Sequence, residues 1–413
     1  MDRNKQAPAE SRLQGGEGHN IRKLVLALLF GLMGLGAGIP PGHAGAAQGS
    51  NSHEALRSMA RAYIASGNYE KAQPLAERAL DLADEANVSD SGMSACLLDL
   101  AYIYKNRGML AQAEATCRMG LELQEKVYSE HHPYVAYALR IQSGIYKEQA
   151  RYKDAMGALE RAIGIMRRDK GEDDPAIAPL KVDIARLLTA QGKFTEAESH
   201  FSEALAPVEL RYGPDHLYTA EVRTSIAELY VLLGQYDRAE EIIRDVLVIQ
   251  KKAYGSEHHF LVPAWMVASA IHQARGEYDK AETLLQNALS TVERTMGPGH
   301  PLAGEVLSRL GDLYIASGQY AGAEDALNKA RKILQRSLGA DHDRTAVVLN
   351  NLAKICIYKG RYPQAEKLCQ EALACLTNLF DENHPKVLDV RATMARLEAA
   401  AGSAVAKLKG RAE

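Results

Sequence analysis

One feature constrains this chain above all others: a Gly-x-Tyr-x-x-Ala motif that returns every 42 residues. Its anchors are Gly67, Gly108, Ala150, Gly192, Gly234, Gly276, Gly318 and Gly360, spaced by 41 once and then by 42 six times. Two residues on stands an aromatic or Leu: Tyr69, Leu110, Tyr152, Phe194, Tyr236, Tyr278, Tyr320 and Tyr362. Five residues on stands Ala in every unit, from Ala72 to Ala365. Seven residues before each anchor the residue is small: Ala60, Ala101, Ser143, Ala185, Ala227, Ser269, Gly311 and Ala353. Four before it Tyr recurs, at Tyr63, Tyr104, Tyr146, Tyr230 and Tyr314. The two aromatic columns absorb most of the 19 Tyr, in a chain with 5 Phe and 1 Trp.

These columns describe a helical hairpin. Apolar residues before the anchor, such as Leu310, Leu313 and Tyr314, fall at helical spacing and form a helix A. The anchor glycine admits the backbone turn that ends it. After it, Tyr320, Ala323, Leu327 and Ala330 form the stripe of a helix B. Small residues at two fixed points allow the helices to approach closely. One hairpin cannot bury its apolar face alone, and stacked hairpins share a continuous core. An array of this kind is not bound by the usual length rule, so 413 residues need not mean two or three globular domains.

The columns resemble the tetratricopeptide repeat in kind and order, although the usual unit has 34 residues. The link between units carries a second signature at the same period: His132-Pro133, Asp174-Pro175, His216, His258, His300-Pro301, His342 and His384-Pro385. Together the two patterns resemble the kinesin-light-chain class of these repeats, over about residues 53 to 402. The resemblance implies an all-α, right-handed superhelical solenoid of eight antiparallel helix pairs with a C-terminal capping helix. On this pattern residues 53–378 form the eight repeats and 379–413 the cap and tail, with the cap helix ending at Gly402.

Residues 24–39, LVLALLFGLMGLGAGI, are uncharged, follow Arg22-Lys23 and precede Ala44-Gly45-Ala46. This pattern predicts a secretory leader cleaved after Ala46, then a linker over 47–52. The apolar run is shorter than a membrane-spanning helix needs. An uncleaved N-terminal anchor is the alternative. The expected location is thus periplasmic or extracellular, or tethered to a membrane through residues 1–46.

Lys plus Arg number 49 and Asp plus Glu 52, a net charge of -3. This balance excludes nucleic-acid binding by charge neutralisation and a polybasic membrane surface. No phosphate-binding loop, nucleophile elbow or His-Glu-x-x-His occurs, so neither catalytic residue nor cofactor is expected. A ladder of His along a solenoid does not converge on one metal ion; His before Pro instead suits a link that starts a helix. The five Cys replace apolar residues of other units, which predicts buried thiols. Cys96 and Cys117, which face each other across one hairpin, are the pair to test for a disulfide.

In the family this chain resembles, helix A lines a concave groove that holds partner proteins. By position, the groove would be lined by Arg57, Arg61, Asp99, Tyr102, Lys105, Tyr137, Arg140, Lys147, Asp183, Arg186, Glu228, Arg309, Asp312, Asn350, Asn351 and Lys354. Kinesin light chains often place an Asn here against the peptide backbone; this chain has it only at Asn351, with Asp99, Ile141, Asp183, Ser225, Val267 and Arg309 elsewhere. The expected function is a non-enzymatic scaffold for partner proteins or peptides. A membrane-anchored adaptor facing the cytoplasm is one alternative. The other is an envelope protein binding a small ligand or glycan, which would need a compact pocket.

Overall fold

The computed structural model describes residues 52–65, 68–171, 174 and 176–409, with side chains, Ala65 apart, to residue 402. The expected leader over 1–46, the anchor Gly67 and Pro175 lie outside the described residues. The rest is a stack of helices in strict alternation. Helix A and helix B form the hairpins α1 (His53–Ala65) with α2 (Tyr69–Glu85), α3 (Asp90–Asn106) with α4 (Leu110–Tyr128), α5 (Pro133–Glu148) with α6 (Tyr152–Lys170), and α7 (Ala178–Ala190) with α8 (Phe194–Tyr212). They continue with α9 (Leu217–Leu232) and α10 (Tyr236–Tyr254), α11 (Val262–Ala274) and α12 (Tyr278–Thr295), α13 (Pro301–Ala316) and α14 (Tyr320–Ser337), and α15 (Asp343–Tyr358) with α16 (Tyr362–Leu379). A final helix, α17 (Pro385–Lys409), lies on the eighth hairpin.

Sterics set the hairpin. The anchors Gly108, Gly192, Gly234, Gly276, Gly318 and Gly360 all have φ between 70 and 78°. Ala150 makes the same turn at φ 58°, at a cost of about 1 kcal/mol for its Cβ. The Ala column from Ala72 to Ala365 is fully buried, as are Ala60, Ala101, Ala185, Ala227 and Ala353 on the facing helices. In the seventh unit the small residue is Gly311, where a Cβ would stand 2.4 Å from Leu327 Cγ. The helices touch there with no room for a methyl group. Buried side chains of successive hairpins merge into continuous clusters running from Ala60 to Leu397.

The cap differs from the reading in one respect. Helix α17 runs through Gly402 to Lys409 rather than ending at that glycine. A helical glycine costs only about 1 kcal/mol, and the run Ala399-Ala400-Ala401 before it, with Ala404 and Ala406 after it, favours helix. The five Cys are buried free thiols, so Cys96 and Cys117 are not bridged.

Candidate partner-binding surface

The A helices form the inner wall of the coil, and their polar residues pair from one hairpin to the next. Arg57 and Arg61 of α1 both reach Asp99 of α3, at 2.6 and 2.9 Å. Arg61 does so with two nitrogens, Nε on Oδ2 and Nη2 on Oδ1. Arg140 of α5 donates to Asp183 Oδ2 of α7 at 2.5 Å and to the Pro179 carbonyl at 3.2 Å. Arg186 of α7 donates to Ser225 Oγ and Glu221 Oε1 of α9, each at 2.9 Å. At the far end Asn350 and Lys354 of α15 share Asp389 of α17, and Lys354 also reaches Asn351 Oδ1. Charge-assisted contacts of this geometry are the stronger class of hydrogen bond.

Burial alone would raise the Asp183 carboxyl; Arg140 and Arg186 outweigh it and hold it below the usual carboxylate range. Burial pushes the Tyr102 hydroxyl up to about 12, and Glu221 adds to the shift. Lys105 stands 4.8 Å over the Tyr102 ring. Burial lowers its ammonium despite the carboxylates of Glu148, Asp183 and Glu221 nearby. Those four groups come from α3, α5, α7 and α9, so they face one another across the inside of the coil.

The sequence-derived groove residues therefore fall into groups. Arg57, Arg61 and Asp99 are one; Arg140, Asp183 and Arg186 another; Asn350, Asn351 and Lys354 a third. Tyr102 and Lys105 sit together. Tyr137 is half-buried, its hydroxyl enclosed and without a hydrogen-bond partner. Lys147 lies 3.5 Å from Glu148. Arg309 is half-buried, and Glu228 and Asp312 are exposed. An open cleft of about 320 Å³ elsewhere, between hairpins four and five, is lined by Glu198, Glu209, Glu241, Asp245 and Arg223 over apolar side chains.

The inner wall is closed by contacts that the sequence reading missed. Successive turns of the coil touch along a seam. His300 Nε2 donates to the Asn106 carbonyl at 2.7 Å, His342 to that of Glu148 at 2.9 Å, and His384 to that of Ala190 at 3.1 Å. Each contact spans 194 residues. The accepting carbonyls stand at the ends of the A helices, where no intrahelical donor remains. The same rings cap the next helix, with Nδ1 accepting from the Leu302, Arg344 and Lys386 N–H. One neutral tautomer serves both contacts at His300 and His384. At His342, Nδ1 also lies 2.9 Å from Asp343 Oδ1.

The link residues fit the anchors of the turn below. A Cβ on Gly108 would stand 2.7 Å from Pro301, and one on Gly192 2.8 Å from Pro385. The same offset places Asp343 opposite Ala150, so the anchor that carries a methyl group meets a link without proline. Tyr152 donates to Asp343 Oδ2 at 3.3 Å, and Arg344 pairs with Glu148 at 3.1 Å. Against burial, Arg344, Lys147, Lys105 and His342 hold the Glu148 carboxyl well below its usual range. Tyr69 and the His259 ring meet edge to face at 6.2 Å. The visible trace of the seam in the sequence is the histidine column itself.

Stacked hairpins that share small-residue contacts and a continuous core define an α-solenoid built from one repeated unit. Models of the tetratricopeptide repeat match residues 176–259, 264–336, 316–365 and 344–404, and a MalT-like tetratricopeptide region matches 49–211. The chain belongs to the tetratricopeptide repeat family. No curated protein matches it in sequence. Among solved structures, the Rap protein complexed with Competence and Sporulation Factor is 13% identical, with a TM-score of 0.53 over 85% of this chain and 98% of that one. One form of a putative kinesin light chain of nearly identical repeats from Podosopora anserina is 20% identical, with a TM-score of 0.39 over 51% and 100%. BtubC (BKLC) from P. vanneervenii is 15% identical, at 0.40 over 56% and 91%. At such identities the likeness to the Rap protein concerns the fold.

Proposed function

We propose that this protein is a non-enzymatic scaffold that holds a partner protein or peptide against the inner wall of its coil. The ladder of paired cations and carboxylates on the A helices supports this reading. An extended peptide presents backbone donors and acceptors that such groups can bind. Tetratricopeptide arrays commonly serve as protein-interaction scaffolds. The Rap protein that shares this fold was solved with a bound factor. The scaffold works outside the cytoplasm after cleavage near Ala46, or tethered through residues 24–39.

Site-specific photocrosslinking tests the first part. A crosslinker at Lys105, on the inner wall, should capture a partner in cells; the same group at Leu210, exposed on a B helix, should not. Capture from Leu210 alone, or from neither position, overturns the reading. Intact mass and cell fractionation test the second part. A soluble exported chain beginning at Ala47 supports cleavage, and a full-length chain in the membrane fraction supports the tether. A full-length soluble chain inside the cell refutes both.

A further inference from the structure

The seam uses half of two surfaces. One surface is the rim formed by the ends of the A helices. The other is the row of histidine links. The seam covers the first turn's rim: Tyr69 is 5% exposed and Tyr152 9%, Leu110 and Phe194 are half-buried, and Pro301 and Pro385 lie over Gly108 and Gly192. The second turn's rim repeats the pattern uncovered. Tyr236, Tyr278, Tyr320 and Tyr362 are all half-buried, and a Cβ on Gly234, Gly276, Gly318 or Gly360 would meet nothing within 4 Å. Apolar side chains stand out from this rim, Leu232 at 50% and Tyr358 at 64% exposure.

The links differ in what their rings reach. Of the second-turn rings that bond the rim below, His342 and His384 are buried and His300 is half-buried. Two first-turn links, at His132 and His216, carry the same construction and are half-buried. His132 stacks on Tyr128 at 4.7 Å and caps α5 through Nδ1. His216 stacks on Tyr212 at 5.1 Å and caps α9 in the same way. In both, Nε2 is the nitrogen not engaged by the cap, as in the rings that form the seam.

We propose that a second copy of this chain continues the coil end to end, seating its first-turn links on the uncovered second-turn rim. The occupant follows from continuity with the seam. Both halves of that contact are present, on opposite ends of one molecule. Helix α17 fills the place of a ninth helix A, so the second copy docks beyond it. The contact joins two different surfaces. It is therefore heterologous and propagates instead of stopping at a dimer.

Sedimentation velocity of the full chain across a hundredfold concentration range tests this. The expected result is a mean mass that rises without a plateau at twice the monomer. Two paired variants locate the contact. Leu232→Glu with Tyr358→Glu charges the rim. His132→Asn with His216→Asn keeps the helix caps, because Asn caps well, but removes the ring that reaches the rim. Each paired variant should remain monomeric, with helical circular dichroism confirming its fold. Mixed together they retain one good rim and one good row of links, and should form a one-to-one pair and no more. A single mass at every concentration overturns the proposal. So does association that neither variant weakens, or two variants that fail to pair with each other.

Discussion

Acid should loosen the seam at His259, and the size of the effect follows from where that ring lies. His259 is 5% exposed, packed on Tyr69 of the turn below, and its Nε2 has no hydrogen-bond partner. Burial, with His258 and His300 adding, brings its pKa down to about 3. In the unfolded chain a histidine takes its proton near 6.5. Between those values the unfolded state binds more protons, so the contribution is whole above about 6.5 and is lost as pH falls. At pH 5 the gap from 6.5 is about 1.5 units, which amounts to about 2 kcal/mol at 1.36 kcal/mol per unit. Trp265, the single Trp, is buried in α11 just after this link, so its fluorescence follows urea unfolding locally. The control is His259→Pro, which copies the Pro301 and Pro385 links. His258 already has the extended backbone that precedes proline, with ψ at 139°. The variant should lose about 2 kcal/mol less than the parent between pH 7 and pH 5. Equal losses in the two proteins would refute the assignment of a buried neutral ring.

Glycine substitutions separate the seam from the turn. Gly192→Ala meets both a φ of 74° and the Pro385 ring, whereas Gly318→Ala meets only a φ of 78°. The first should cost about 1–3 kcal/mol more than the second, read from urea midpoints; equal costs would argue against the contact. His342→Asn keeps a side chain able to cap α15 yet cannot reach the Glu148 carbonyl, and should destabilise by about 1–2 kcal/mol. His342→Ala should cost about 1 kcal/mol further for the lost cap, and if Asn and Ala behave alike the ring has no capping role. Asp99→Asn leaves the half-buried Arg57 and Arg61 without their carboxylate and should cost about 2 kcal/mol. Thermal denaturation of Asp99→Asn alone and with Arg57→Gln checks this, since the second change should then recover part of the loss.

The hairpin was legible because its determinants are local. Gly318 ends one helix, Tyr320 and Ala323 begin the next, and Gly311 lies opposite Leu327, all within one unit. The end of α17 was harder to place, because Gly402 among alanines opposes helix only weakly. The seam was legible only as the histidine column, without the carbonyls that the rings reach. Its 194-residue offset is not a multiple of 42, and it depends on the small rotation that each hairpin adds to the last. The inner wall lies between these cases. Sequence position gathers Arg140, Asp183 and Arg186 onto A helices, but their mutual pairing depends on how tightly the coil winds. Proline and glycine facing each other at Pro301 and Gly108 look like ordinary helix punctuation until both turns are seen together.

The seam also decides how the molecule would yield under tension. Without it, a solenoid pulled at its ends is a series of hairpins, each bearing the whole load and peeling off one at a time. The bonds from His300, His342 and His384 lie side by side at equal steps, so they carry an axial load in parallel. The coil then resists as a stiff cylinder up to a threshold and gives way abruptly into an extensible spring. Its hairpins remain intact through that first release. All three contacts share one 194-residue offset, so a single register of the two turns restores them together.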